Sequence, residues 1–145
     1  MIRYETTIQI NHPLESTFAF VANSDNFKKW QSDLEEHVKL TDGPLAIGSR
    51  FRELRQFGGP PIQIQAEVTV FEPNKRLVTQ TTNTPQVTMS YDFASEGNGT
   101  HMRYEFAMTT SGMMKLMEPM ITASIKQLTA SNLNRLKSVL ETVDK

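Results

Sequence analysis

Between Gly112 and Val143 the chain holds one proline, Pro119, and no glycine after Gly112. Apolar residues recur there at helical spacing: Met113, Met117, Met120, Ile121, Ile125 and Leu128, then Leu133, Leu136, Val139, Leu140 and Val143. This is the pattern of an amphipathic helix with one buried face. At about 1.5 Å per residue, the part after Pro119 alone runs roughly 36 Å, the span of a small domain. A helix of that length needs a broad apolar surface to lie against, and the first two thirds of the chain must supply it.

Those two thirds read mainly as strands. Ile2, Tyr4, Thr6, Ile8 and Ile10 alternate with Arg3, Glu5, Thr7 and Gln9, which predicts a half-buried strand over 2–10. Pro13 suits a helix start, with Glu15 near the positive dipole end and Leu14, Phe18 and Val21 on one face. A second short helix is expected over Asn26 to Trp30, capped by Ser24 or Asp25. A polar strand from Glu35 to Asp42 ends at the Asp42-Gly43-Pro44 turn, and another runs from Ser49 to Phe57. Ile62 to Val70, Arg76 to Thr82, Gln86 to Phe93 and Thr100 to Thr110 complete the set. Gly97-Asn98-Gly99 is a hairpin turn, able to supply two positive φ angles. Successive strands joined by short turns pair antiparallel, and one apolar face implies a sheet covered on one side. The expectation is an α+β fold: a curved seven-stranded antiparallel sheet, two short helices, and a long C-terminal helix that Pro119 either starts or kinks.

Composition narrows the function. The 145 residues are most simply one domain, 1–145, large enough to bury a core without staples. A net charge of -1 gives no electrostatic reason for a nucleic-acid partner. The absence of cysteine removes disulfides, thiolate metal sites and cysteine nucleophiles. No run is long enough for stable membrane insertion, and no signal peptide opens the chain, so a cytoplasmic address is the default.

The chain resembles the START-like (SRPBCC) superfamily, in particular its polyketide cyclase/dehydrase and lipid-transport branch. The resemblance is carried by the opening strand running through Ile10-Asn11-His12-Pro13 into Val21, by Trp30 at the end of the second short helix, and by Gly48-Ser49-Arg50-Phe51. Glu72-Pro73-Asn74-Lys75-Arg76-Leu77, Gly97-Asn98-Gly99-Thr100 and the terminal helix with Leu136, Leu140 and Glu141 continue it. Each motif is a turn or cap signal, and their joint order spans essentially the whole chain. The resemblance implies a helix-grip fold, with a cavity between sheet and helix that holds small hydrophobic molecules. Fold alone does not fix function, because relatives include carriers, cyclases and co-chaperones.

Few residues offer chemistry. His12, His37 and His101 fall at a helix start and on polar strand positions, and are expected to be structural or solvent-exposed, with no convergence on a metal. Along Phe51-Arg52-Glu53-Leu54-Arg55-Gln56-Phe57, period two places Glu53 and Arg55 inward if Phe51 and Phe57 face inward. Buried, the two must pair with each other or with a ligand. The favoured expectation is instead that a bulge or edge position turns both to solvent and Leu54 inward. Tyr91 and Tyr104 lie on apolar faces and bring hydroxyls in need of partners. Five of the eight methionines lie between Met108 and Met120, suited either to an adaptable cavity mouth or to plain core filling. Trp30 covers one end of the cavity or anchors the short helices.

The expected ligand-binding set is Trp30, Phe51, Glu53, Arg55, Phe57, Met89, Tyr91, Tyr104, Met117 and Ile121, with no cofactor and no metal. The leading expectation is a binder or carrier of a small hydrophobic molecule without chemistry. The alternatives are a cyclase or dehydratase using Glu53, Arg55, Tyr91 or Tyr104 as acids and bases, and a module docking a macromolecule on an exposed apolar patch. A homodimer is left open.

Overall fold

The structure, a computed structural model, describes residues 1–56 and 60–143. Strand β1 (Ile2–Ile10) leads into α1 (Leu14–Val21), a 3-10 turn (Ser24–Asn26) and α2 (Phe27–Trp30). Six strands follow: β2 (Leu34–Lys39), β3 (Arg50–Arg55), β4 (Ile62–Glu72), β5 (Arg76–Thr81), β6 (Val87–Glu96) and β7 (Gly99–Met108). Helices α3 (Met113–Leu116) and α4 (Glu118–Val143) close the chain.

All seven strands form one antiparallel sheet in the order β1-β7-β6-β5-β4-β3-β2, so the first strand crosses over to pair with the last. Register shifts between Leu34 and Glu36 and between Val68 and Val70 interrupt the ladder. Such bulges bend and twist a sheet, which lets its apolar face curve around a helix. Ile10, Met102, Phe106, Met108, Ile125, Leu136 and Leu140 make the centre of the core, each at 2% exposure or less.

Local chemistry sets the boundaries. Pro13 is the N-cap residue of α1, and the Thr17 N–H bonds its carbonyl at 2.9 Å to close the first turn. Asn23 caps the 3-10 turn, its Oδ1 accepting the Asp25 N–H at 3.0 Å, whereas α2, expected to be capped by Ser24 or Asp25, has Asn26 as its N-cap residue and no side-chain cap bond. In the β6–β7 hairpin Glu96 pairs with Gly99, and Gly97 has φ 60° while Asn98 does not have positive φ. One positive φ at the first central position is the arrangement of a type II′ turn.

Pro119 starts the main helix. The chain breaks at Met117, and Pro119 is the second residue of α4, where its missing N–H has no intrahelical acceptor to lose. At 26 residues, α4 spans about 39 Å. Both its ends are fastened. Glu118 accepts the Met1 ammonium at 3.1 Å and the Thr110 hydroxyl. Near the other end, Glu141 accepts the Asn11 N–H at 2.8 Å, and Lys137 bonds both Glu141 and the Gln9 carbonyl.

Candidate binding site

Strand β3 keeps strict alternation, so Phe51, Glu53 and Arg55 all point into the molecule. The favoured expectation that Glu53 and Arg55 face solvent is therefore overturned. They are 3% and 4% exposed, while Leu54 is only half-buried. Burial of two charges is tolerable here because each is fully engaged. Arg55 Nε donates to Glu53 Oε1 at 2.7 Å, Nη1 to Asp33 Oδ2 at 2.8 Å and Nη2 to Gln31 Oε1 at 2.6 Å.

The network reaches two further elements. His37 Nδ1 lies 2.7 Å from Glu53 Oε2. An ionised carboxylate only accepts, so the ring proton sits on Nδ1. On the other side, Asn132 of α4 donates to Asp33 Oδ1 at 2.9 Å and accepts from the Ser32 N–H and hydroxyl at 2.9 and 2.8 Å. One chain of bonds thus ties the β2 edge of the sheet to the middle of the long helix. Of the two expectations for His37, structural or solvent-exposed, the structural one applies. Its side chain is 9% exposed, and its ring packs 5.0 Å from Phe27 and 5.1 Å from Phe51.

Electrostatics follow from these contacts. Burial pushes the Glu53 carboxyl up, but the Arg55 charge and the hydrogen bonds from His37 and Arg55 hold it below its ordinary value. Burial works against the Arg55 charge, and Glu53 and Asp33 more than restore it. Burial raises Tyr91, helped by Asp33 and Glu53 against Arg55. Burial also raises Tyr104 well above the usual phenol, and Tyr91 adds to it. Both hydroxyls therefore stay protonated at neutral pH.

Two small cavities of about 30 Å³ each adjoin this network. Each has room for about two waters. The first lies under α4, against Tyr104, Phe106, Ile125, Leu128 and Thr129. The second lies toward β4 and β5, against Phe51, Glu53, Ile64, Leu77 and Val87. Trp30, Gln31, Arg55, Met89 and Tyr91 belong to both and form the wall between them. The expected cavity between sheet and helix is therefore present, but divided and nearly filled. A larger depression of about 680 Å³ lies elsewhere, bounded by α1, the β2–β3 connection and Phe71, with His37 on its wall.

Of the expected set, Trp30, Phe51, Glu53, Arg55, Met89, Tyr91 and Tyr104 line these cavities. Ile121 packs partly buried against the core, away from either wall, and Met117 is 42% exposed at the break before α4. Phe57 lies outside the described residues. Gln31, Asp33, His37 and Asn132 were not in the expected set. Their partners come from distant strands and helices, and only the Glu53–Arg55 spacing hinted that a buried charge would need them.

The whole chain has recognisable relatives. Residues 1–141 match the family described as polyketide cyclase/dehydrase and lipid transport. The Zhui aromatase/cyclase from Streptomyces sp. R1128 superposes with TM-score 0.80 at 12% identity, covering 99% of this chain and 96% of its own. A START superfamily protein from Mycobacterium smegmatis superposes at 0.78 and 12% identity, over 97% and 98% of the two chains. The Aha1 dimer from Colwellia psychrerythraea gives 0.68 at 22% identity, with 98% of each chain covered. No curated protein sequence matches. At these identities the structures show a shared START-like, helix-grip fold.

Proposed function

We propose, from the premise that this chain belongs to the polyketide cyclase/dehydrase and lipid transport family, that it binds a small, largely apolar molecule between the sheet and α4 and holds it without chemistry. The family supports ligand binding or cyclase-type function in general; the carrier reading is the finer one. The observation that carries it is the pair of cavities separated by Trp30, Gln31, Arg55, Met89 and Tyr91. Met89 is unbranched and flexible, so its displacement joins the two spaces at small cost. The remaining lining is mostly apolar or aromatic, as binding pockets are.

The polar groups argue against acid-base catalysis. A general base needs a free lone pair near neutral pH. Glu53 and Asp33 are bonded to Arg55 and to His37 or Asn132. The tyrosine hydroxyls are pushed away from neutrality. The site residues proposed for ligand contact are Trp30, Arg55, Met89, Tyr91 and Tyr104, with Ile125 and Leu128 on the helix side.

Native mass spectrometry of protein purified from its producing cells tests this reading, together with calorimetric titration of naphthalene. A co-purifying small molecule is expected, with naphthalene binding that strengthens in Met89→Ala. No adduct, and no naphthalene binding by either protein, overturns it.

A further inference from the structure

Building on the binding reading above, we infer that the ligand is uncharged and presents a carbonyl oxygen (a ketone, ester or quinone) to the indole N–H of Trp30. Trp30 is 2% exposed, belongs to the wall of both cavities, and its Nε1 has no hydrogen-bond partner among the described residues. An indole nitrogen donates and cannot accept. A buried donor left unpaired is costly, and most such groups in folded proteins find a partner. The buried ring packs in a T-shaped contact with Tyr91, centroids 6.3 Å apart at 81°, which limits its motion. The missing partner is an acceptor oxygen.

Charge fixes the rest of the class. Arg55 is the one cation on the two walls among the described residues, and Asp33 and Glu53 share it. These three groups sum to −1, or to zero with a protonated His37 behind Glu53. The sum is never positive. A ligand carboxylate would be buried without a counter-ion, which is prohibitive in such surroundings. A ligand ammonium would face Arg55 and leave the indole unpaired. A neutral carbonyl meets the unpaired donor and adds no charge. The Tyr104 hydroxyl, on the wall of the first cavity, can supply a second donor, and burial keeps it protonated. This selects against fatty acids, whose carboxylate is the group the walls reject.

Three matched probes separate the possibilities: naphthalene, 2-acetonaphthone and 2-naphthoate, titrated calorimetrically into the wild-type protein at pH 8. The ketone should bind about tenfold tighter than naphthalene, as one recovered hydrogen bond implies. The acid should bind at least about a hundredfold more weakly than the ketone. Because Trp30 is the chain's single tryptophan, one indole ¹H–¹⁵N resonance reports the contact directly. It should move downfield with the ketone and not with naphthalene. In Trp30→Phe the ketone's advantage should fall to within about twofold. Equal affinities for ketone and naphthalene, tight naphthoate binding, or an indole resonance unmoved by the ketone overturns the assignment while the binding reading stands. Failure of all three probes overturns the binding reading itself. The wild-type measurements decide the matter even where Trp30→Phe does not fold.

Discussion

Arg55 shows how a single residue can depend on three elements at once. Its guanidinium is held by Glu53 on its own strand, by Asp33 and Gln31 just before β2, and through Asp33 by Asn132 on α4. Replacing it by Leu strands two buried carboxylates, and Arg55→Leu should lose about 3–5 kcal/mol in urea unfolding. A loss under 1 kcal/mol would mean the carboxylates find other partners. Glu53 adds a pH dependence of known sign. Its folded pKa lies below the ordinary 4.5, so it stabilises the fold above that value. The contribution is lost as pH falls from about 4.5 through the folded pKa. Thermal denaturation at pH 7 and pH 3.5 should show a smaller acid-induced drop in Glu53→Gln than in wild type. An equal drop assigns the acid sensitivity to other carboxylates, of which Glu118 is one held low, by Thr110 and the N-terminus.

At the scale of elements, two positions carry opposite expectations. A Cβ on Gly99 would meet the Ile10 carbonyl oxygen at 2.7 Å, where β1 and β7 close on each other. Gly99→Ala forces backbone apart and should cost about 1–3 kcal/mol in chemical denaturation. An unchanged midpoint would show that β1 shifts freely. Pro119→Ala should change stability by less than about 0.5 kcal/mol, because the first turn of a helix has no bond for proline to break. The segment before it differs in kind. None of the four residues of α3 is buried, and Met113 and Leu116 are 75% and 81% exposed. With so little packing, α3 amides should exchange with solvent well before those of α4 around Ile125 to Leu140. Comparable protection in the two helices would contradict this.

Across the whole molecule, the curved sheet and α4 share one core, which continues around α1 and α2. We propose that residues 1–145 unfold as one unit. Far-UV circular dichroism and the fluorescence of Trp30 should then trace coincident urea transitions, and separated midpoints would contradict a single domain. Among the described residues, no helix is long and apolar enough to cross a membrane. Met113, Leu116, Met117 and Met120 are exposed apolar residues from α3 to the start of α4.

The order of elements, the alternation of most strands and the long helix follow from local chemistry, because period-two and helical patterns are written into consecutive residues. Motif order along the chain likewise carries the resemblance to START-like proteins. Ends of short elements differ by one to three residues: α1 begins at Leu14 and α2 at Phe27, and β2 runs Leu34–Lys39 where Glu35 to Asp42 was expected. What the sequence alone left open was the direction of Glu53 and Arg55. General statistics favour solvent for buried-strand charges, and that preference fails here. Asp33, His37 and Asn132 reach the pair from 20, 16 and 79 residues away along the chain from Glu53. Only tertiary structure brings them within hydrogen-bonding distance. The same holds for the cavity: its existence follows from a helix laid on a curved sheet, whereas its division by Trp30, Arg55 and Met89 depends on how those side chains pack together.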